Sequence, residues 1–270
     1  MNLPRLKRLI LCADDFAVHQ AASKGIARLA GMGRISATSA MVLSPRWAQD
    51  APLLHDLRGH VDVGLHLDWT SDFAVAAGHG LSLSQAMLKS VLGGFSQAAA
   101  LAVIERQLDA FEAQWKAPPD HVDGHQHVQQ FAGIRQALAG ALARRYPVRK
   151  PYLRVSRAPP GQADFKSHII AAMGARSIDD IANYAGIPRA VALSGIYDFS
   201  GTVAGYGQRM DHWLQTSPEH TIIMCHPALS EAPGDSIAPA RAREFAYLGS
   251  DDFSAALTQA RVRLARGGDW

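Results

Sequence analysis

The chain has 270 residues, of which 48% are hydrophobic and 19% are charged, and its formal net charge is +3 at pH 7. This composition predicts one globular α/β domain over residues 1–270 and argues against a membrane protein, because no stretch approaches the ~18 uninterrupted apolar residues that a span needs. Lysine and arginine are scattered along the chain, so a nucleic-acid-binding surface is not expected.

The first ten residues carry the basic side chains of a signal peptide, but Asp14 and Asp15 interrupt the apolar run that follows. The sequence therefore predicts a cytoplasmic chain that enters its first strand here. Cys12 and Cys225 each lie within an apolar run of strand type. We expect them to be buried free thiols, since two such cysteines cannot build a disulfide framework.

Apolar runs of strand length alternate along the chain with longer segments of helical periodicity. Besides a His-rich strand after Pro119, strands are predicted over Leu9–Ala13, Ser39–Leu43, Val61–Leu65, Tyr152–Val155, Ala190–Leu193 and Thr221–Cys225. Helices are predicted over Ala21–Met32, Trp47–Leu57, Gln97–Trp115, Ile134–Arg145, Gly207–Gln215 and Phe253–Arg266. This alternation is typical of parallel β/α architecture with mostly parallel strands.

Two segments fall outside this pattern. Residues 73–94 are predicted to form a loop and a short helix over one end of the sheet, either as a substrate lid or as a structural insertion. Residues 158–205 are interrupted by Pro159-Pro160-Gly161 and by later glycines, which predict irregular backbone near the same end.

The His-rich segment places His121, Asp123, His125 and His127 at alternating positions. In an extended backbone these side chains would share one face, and a buried face of imidazoles and a carboxylate is costly unless it is paired or bound to a cation. The segment therefore predicts the wall of a metal site. Either His125 or His127, or both, would contact the ion, and Asp123 would orient an imidazole.

Four apolar strands run into chemically reactive side chains, which are Asp14-Asp15, His66, His125 and His226. In β/α folds the carboxyl ends of the strands meet at one rim, where catalytic groups collect. An Asp and three His delivered to one rim indicate a mononuclear metal hydrolase.

Asp14 and Asp15 cannot face the same way in an extended strand, so one is expected to ligate the metal while the other acts as a general base toward water. The alternative is that Asp15 caps the following helix. His66 follows Gly64, which leaves room for a close backbone approach, and Asp68 is a candidate to orient an imidazole.

His226 precedes Pro227, and away from the metal it would serve as a general acid toward a leaving amine. The alternative is a histidine that belongs only to a turn. Arg154 ends its own strand and is either a polar contact to substrate or half of a structural ion pair. Candidates for a sugar-stacking wall, which could equally be core residues, are Trp69, Trp115, Tyr197, Tyr206 and Trp213.

Four motifs together carry a family resemblance. In chain order they are Ala13-Asp14-Asp15-Phe16, Gly64-Leu65-His66-Leu67, His121-Val122-Asp123-Gly124-His125-Gln126-His127-Val128 and Cys225-His226-Pro227. The chain thereby resembles the YdjC-type carbohydrate deacetylases, which include chito-oligosaccharide and hopanoid-associated deacetylases, from Leu9 to about Pro227. It departs from the common pattern at Ala17, Gln126, Gln129 and Ala228. Of these, Ala17 and Gln129 are expected near the rim of the cleft, where they would bear on substrate choice.

The resemblance implies a distorted (β/α) barrel with a divalent metal, zinc or magnesium, held by Asp15, His66 and His125. It further implies that Asp14 is the general base and His226 the general acid in removing an N-acetyl group from an acetylated saccharide or glycoconjugate. A homo-oligomer is left open. The alternatives are a metal-dependent deacylase or phosphoesterase acting on a substrate other than a sugar, and a sugar-binding regulator without activity.

Overall fold

The computed structural model describes residues 5–269, so Met1–Pro4 of the start segment considered above lie outside the described residues. Its strands are β1 Lys7–Phe16, β2 Ala37–Ala40, β3 Asp62–Leu67, β4 His121–Gly124, β5 Tyr152–Leu153, β6 Leu193–Ser194, β7 Ile222–Cys225 and β8 Val262–Leu264. Its α-helices are α1 Gln20–Gly31, α2 Trp47–Asp50, α3 Asp72–Ala76, α4 Leu83–Val91, α5 Gln97–Trp115, α6 Ile134–Arg145, α7 Phe165–Ala172, α8 Ala175–Tyr184, α9 Val203–Thr216, α10 Ala238–Leu248 and α11 Asp251–Gln259. Short 3₁₀ helices cover Ala51–Leu57, His125–Gln130 and Gly267–Asp269.

The strands form one parallel sheet in the order β5-β4-β3-β2-β1-β7-β6, with β8 added beside the start of β1. The sheet curls, and its two edges approach each other: Leu153 of β5 exchanges backbone hydrogen bonds with Pro188 and Ala190, just before β6. The predicted single α/β domain with a distorted barrel of parallel strands is thus confirmed as a curled sheet surrounded by helices.

Side-chain alternation along the strands separates two kinds of interior. On β1, Leu9 and Leu11 pack outward in the large apolar core beneath the helices, whereas Ile10 and Cys12 belong to a smaller cluster inside the curl. Asp14 continues the inward series, and on β3 the buried His66 lies two residues after Gly64 in the same way. Strand periodicity therefore directs the polar residues toward the concave side of the sheet.

Three element predictions differ most from the structure. The His-rich strand ends at Gly124, because Gln126 and His127 adopt left-handed backbone conformations (φ 52° and 63°) in the 3₁₀ segment. The last predicted helix ends at Gln259, and β8 follows it where helical periodicity had been read onward to Arg266. The region after Pro160 was expected to be irregular but contains α7 and α8, which the sequence pattern did not reveal.

Both cysteines are buried free thiols, as predicted. Within residues 5–269, every helix is too short or too polar to cross a membrane.

Candidate metal centre and active site

A bulge at the end of β1 brings two adjacent carboxylates into one site. Between Ala13 and Phe16 the strand gains one residue over β2, and Asp15 takes a left-handed conformation with φ 63°. A non-glycine residue held there carries backbone strain of the kind that clusters at functional sites. The bulge is why both Asp14 and Asp15, each buried, reach the concave side, which a regular strand would not allow.

Asp15, His66 and His125 come together at the carboxyl ends of β1, β3 and β4. Asp15 Oδ1 lies 3.3 Å from His66 Nε2 and 3.3 Å from His125 Nδ1. Two ligands at ~2.0–2.1 Å from one ion at a tetrahedral angle would be about 3.3 Å apart, and one carboxylate with two imidazoles is an ordinary zinc donor set. The residues present therefore fit a divalent cation.

His66 is held by acceptors on its other nitrogen. Its Nδ1 lies 2.7 Å from Asp123 Oδ1 and 3.0 Å from Ser39 Oγ, which leaves Nε2 facing Asp15. A carboxylate behind an imidazole fixes the ring and its tautomer in this way in many metal sites. Gly64 lets His121 pack against β3, because a Cβ at Gly64 would lie 2.4 Å from the His121 ring.

Arg154 is wholly buried and joins two carboxylates. Its Nη1 and Nη2 each donate at 2.6 Å to an oxygen of Asp14, and Nη2 also lies 2.5 Å from Asp123 Oδ2. Burial favours the neutral acid, but the paired guanidinium outweighs it and holds the pKa of Asp14 below its ordinary value. Of the two interpretations of Arg154, the ion pair is the one that the structure shows, and the side chain has no surface left for a substrate.

Arg241 of α10 occupies the other oxygen of Asp15. Its Nη2 donates to Asp15 Oδ2 at 2.7 Å and its Nε to Asp235 Oδ2 at 2.6 Å, while His19 Nε2 lies 3.1 Å from that same Asp235 oxygen. Burial opposes ionisation of Asp15, yet Arg241 and the hydrogen bond from His125 hold its pKa well below the usual range. Arg241 and Asp235 were not among the predicted site residues, because both lie well beyond the end of β7 and no strand leads directly into them.

His226 follows β7 and stands next to Asp14, with its Nε2 3.9 Å from Asp14 Oδ2. Its backbone N–H donates to the buried carboxylate of Glu244, whose other oxygen accepts from the Tyr197 hydroxyl at 2.6 Å. Burial lowers the pKa of His226 to about 4 against the pull of the two aspartates. The ring is therefore neutral at pH 7.

Three further expectations fail on geometry. Asp68 orients no ligand imidazole, because its carboxylate is occupied by Thr70 and Ser71 at the start of the next loop. His127 is outside the candidate donor set, although it lines the same cleft, and its Nδ1 lies 3.0 Å from Ser156 Oγ. Ala17 and Gln129 are fully buried rather than at the rim of the cleft.

A cleft of about 860 Å³ opens above these groups, with Asp14, Asp15, His66, His125 and His226 among its lining residues. Residues 73–94, considered above as a lid, contribute Phe73, Leu83 and Met87 to its wall. The proposed sugar-stacking aromatics do not line it: Trp69, Trp115, Tyr197, Tyr206 and Trp213 are all buried in the core.

The chain is similar to known proteins along most of its length. The sequence model of a family described as YdjC-like protein matches residues 8–259. The carbohydrate deacetylase of Homo sapiens is 31% identical over 173 residues, which cover 60% of this chain and 52% of the relative. The chain thus spans about half the length of that relative. The chitooligosaccharide deacetylase of Yersinia pestis (strain Pestoides F) is 26% identical over 266 residues, or 96% of this chain and 97% of the relative.

Solved structures of other proteins share the fold. A protein from Enterococcus faecalis, provisionally assigned to cellobiose-phosphate cleavage, superposes with a TM-score of 0.74 at 20% identity over 98% of both chains. The CE4 domain of a multidomain xylanase from the hindgut metagenome of Trinervitermes trinervoides superposes with a TM-score of 0.52 at 8% identity, over 98% of this chain and 89% of that one. At these identities the likeness concerns the fold alone.

Proposed function

The chain belongs to the YdjC-like protein family, and on that premise we propose that it is a metal-dependent hydrolase that removes the N-acetyl group from an amino sugar or an oligosaccharide. The proposal is carried by the convergence of Asp15, His66 and His125 at the floor of one cleft, with Asp14 and His226 beside them. The relatives named carbohydrate and chitooligosaccharide deacetylases supply the substrate class.

Asp15 Oδ1, His66 Nε2 and His125 Nδ1 would hold the ion. Two nitrogen donors favour zinc over magnesium, which prefers an all-oxygen shell. A divalent ion bound there supplies Lewis acidity, which polarises an amide carbonyl and makes water easier to deprotonate. Arg241 keeps Asp15 Oδ2 engaged, so Oδ1 is the oxygen turned to the two imidazoles.

Asp14 is the general base in this proposal. Its lowered pKa keeps the carboxylate ionised at neutral pH, so it is ready to take a proton from the attacking water. The two short bonds from Arg154 fix the direction of the carboxylate at the cost of weakening it as a base. The ion pair therefore orients the Asp14 carboxylate and at the same time lowers its affinity for a proton.

His226 is the general acid toward the departing amine. Because its ring is neutral at pH 7, the proton that it passes to nitrogen must reach it during turnover. Asp14 Oδ2, 3.9 Å away, is a group that will by then have gained a proton from water. Glu244 and Phe199 hold the ring in place, the first through the backbone N–H of His226 and the second by an edge-to-face contact at 5.3 Å.

Acetate release tests the proposal. Purified protein supplied with zinc should release acetate from N-acetylglucosamine or N,N'-diacetylchitobiose, and a chelator should abolish the release. His125→Ala should lose activity, whereas His127→Ala, which alters a neighbouring imidazole outside the donor set, should retain most of it. Absence of acetate from every N-acetyl sugar tested, or full activity in chelator, would refute the proposal.

A further inference from the structure

The imidazole of His226 lacks the hydrogen bond that usually orients a histidine acid or base. Its Nε2 lies 3.9 Å from Asp14 Oδ2, beyond hydrogen-bond reach, and its buried Nδ1 has no hydrogen-bond partner among residues 5–269. In most such sites a carboxylate or a backbone carbonyl on the second nitrogen fixes the ring. The orientation of this imidazole therefore depends on the side chains that pack against it.

Phe199 is an aromatic side chain that packs against this imidazole. The two ring centroids are 5.3 Å apart, the ring planes cross at 84°, and both side chains line the cleft. Aromatic rings favour this edge-to-face arrangement. Phe199 can fix the direction of the His226 ring only if Phe199 is itself held in place.

The backbone of Phe199 is held in a strained conformation. Its φ is 61°, in the left-handed region that a bulky side chain rarely adopts. Such a residue costs on the order of 1–3 kcal/mol and persists only where its surroundings fix it. Earlier in the same loop, Gly195 allows a close approach to β7, since a Cβ at this position would lie 2.2 Å from Met224 O. The loop between β6 and α9 thus packs against the strand that leads into His226.

Two cationic side chains hold this strained segment by its carbonyl groups. Lys166 Nζ, from the first turn of α7, donates to Tyr197 O at 2.8 Å, and Arg243 Nη2, from α10, donates to Phe199 O at 2.6 Å. The Lys166 ammonium group also lies 4.8 Å from the centroid of the Phe199 ring, within the range of a cation–π contact. Lys166 therefore contacts both the backbone of the segment and its aromatic ring.

Tyr197 connects Lys166 to His226 a second time. The Tyr197 hydroxyl group donates to Glu244 at 2.6 Å, and Glu244 accepts the backbone N–H of His226. Lys166 is thus linked to the imidazole through one aromatic side chain and to the backbone of the same histidine through another.

We propose that Lys166 is a positioning residue for the general acid, and that it holds the imidazole of His226 toward the departing amine by way of Phe199. This inference rests on the proposed deacetylase function, in which His226 is that acid. No proton passes through Lys166 in this role, since its contacts are with a carbonyl oxygen and the face of a ring. Loss of Lys166 should slow the protonation of the amine and leave metal content unchanged.

Two substrates separate this role from a merely structural one. The leaving amine of an N-acetyl sugar must be protonated, whereas p-nitrophenyl acetate releases a phenolate that leaves without a proton. Lys166→Met should lower kcat for N,N'-diacetylchitobiose by about tenfold with little change in KM, because a misplaced acid loses part of the ~10²–10⁴-fold that acid catalysis contributes. Zinc-dependent hydrolysis of p-nitrophenyl acetate by the same variant should stay within about twofold of the wild-type rate.

Other variants supply the controls. Lys89→Met is the matched control, because Lys89 Nζ also lies 4.8 Å from a phenylalanine ring, that of Phe95, but Lys89 does not line the cleft. It should leave both rates unchanged. Lys166→Arg keeps a cation and a hydrogen-bond donor at the site, so it should restore most of the lost kcat. An equal loss on both substrates in Lys166→Met, or the same loss in Lys89→Met, overturns the inference.

A spectroscopic measurement tests the positioning without turnover. The Cε1–H proton resonance of His226, assigned by its disappearance in His226→Gln, is exposed to the ring current of Phe199. It should move in Lys166→Met and stay in place in Lys89→Met. An active wild type whose His226 resonance or whose kcat is unaffected by Lys166→Met overturns the inference alone. A wild type that releases acetate from no N-acetyl sugar is a different result, since it refutes the deacetylase proposal itself.

Discussion

The neighbouring carboxylates Asp14 and Asp15 are both buried, but they differ in how many of their oxygens an arginine engages. Both oxygens of Asp14 are engaged by Arg154, deep inside the curled sheet, so this carboxylate is fixed in direction. Asp15 gives only Oδ2 to Arg241, which arrives from α10, and keeps Oδ1 for two imidazoles. The difference teaches that two identical, adjacent side chains can be held in different ways by the arginine each one contacts, and the proposed division of roles between them rests on that difference.

The largest expected effect separates those tasks. Asp14→Asn should lower kcat for acetate release by at least about a thousandfold, because the amide cannot take a proton, and it should leave metal content unchanged. Asp15→Asn should lose activity and metal together. Kinetics and elemental analysis of both variants check this. Equal metal loss in the two variants would contradict the assignment of different roles to Asp14 and Asp15.

Breaking the deeper arginine pair should be costly for stability. Arg154→Met leaves Asp14 and Asp123 as uncompensated buried charges, so the free energy of unfolding should fall by about 3–5 kcal/mol. Denaturant titration measures the loss. Arg241→Met is the matched control and should cost less, since its second partner, Asp235, is less deeply buried and can be hydrated. A smaller loss at Arg154 than at Arg241 would contradict the assignment.

The pKa of the buried Glu244 carboxyl group is raised, whereas the pKa values of Asp14 and Asp15 are lowered. Burial raises its pKa to about 7 from 4.5, against the hydrogen bonds that it accepts. The folded protein then holds a proton that the unfolded chain releases, so stability should fall as pH rises from about 4.5 to about 7 and level off above that. The loss attributable to this group is about 3 kcal/mol.

Glu244→Gln should remove that slope, since the amide keeps an acceptor for the His226 N–H without a charge. The free energy of unfolding measured at pH 5 and at pH 8 tests the sign of the slope. Between these two pH values the wild type should lose more stability than the variant does. An unchanged slope in the variant would show that another group titrates.

Arg241, which donates to Asp15 Oδ2, should affect metal affinity less than the loss of a metal ligand does. Arg241→Gln frees the carboxylate to rotate, and affinity should fall about 10- to 100-fold, as is usual when a partner of a metal ligand is lost. Removing a positive charge works in the other direction, but Asp235 already offsets that charge. Competition with a chelator measures the change, and tighter binding in the variant would show that charge outweighs orientation.

The smallest expected effect concerns the bulge. Ala17 has φ 73°, a conformation that suits glycine better than alanine. Ala17→Gly should raise the free energy of unfolding by at most about 1 kcal/mol, because relief of strain is partly offset by the greater freedom of the unfolded chain. Thermal unfolding checks it, and a destabilised variant would indicate that the Ala17 methyl group contributes packing.

Local periodicity was enough to predict the sheet and part of the site. Alternation along β1 and β3 directs Asp14 and His66 inward, and the strand-end rule brings Asp15 and His125 to the same rim. It failed at His127, because it assumed that an extended backbone continued past Gly124, where two left-handed residues turn the chain. Arg241 shows a different limit: it reaches Asp15 across 226 positions of sequence, and such a contact leaves no local pattern.

The most direct test of the proposed site is whether Asp15, His66 and His125 share a single cation, and isothermal titration with zinc measures this. The wild type should bind one ion, and His66→Ala and His125→Ala should each lose that binding while remaining folded by circular dichroism. Tight binding of zinc that survives both substitutions, or binding that is absent from the folded wild type, would contradict the account.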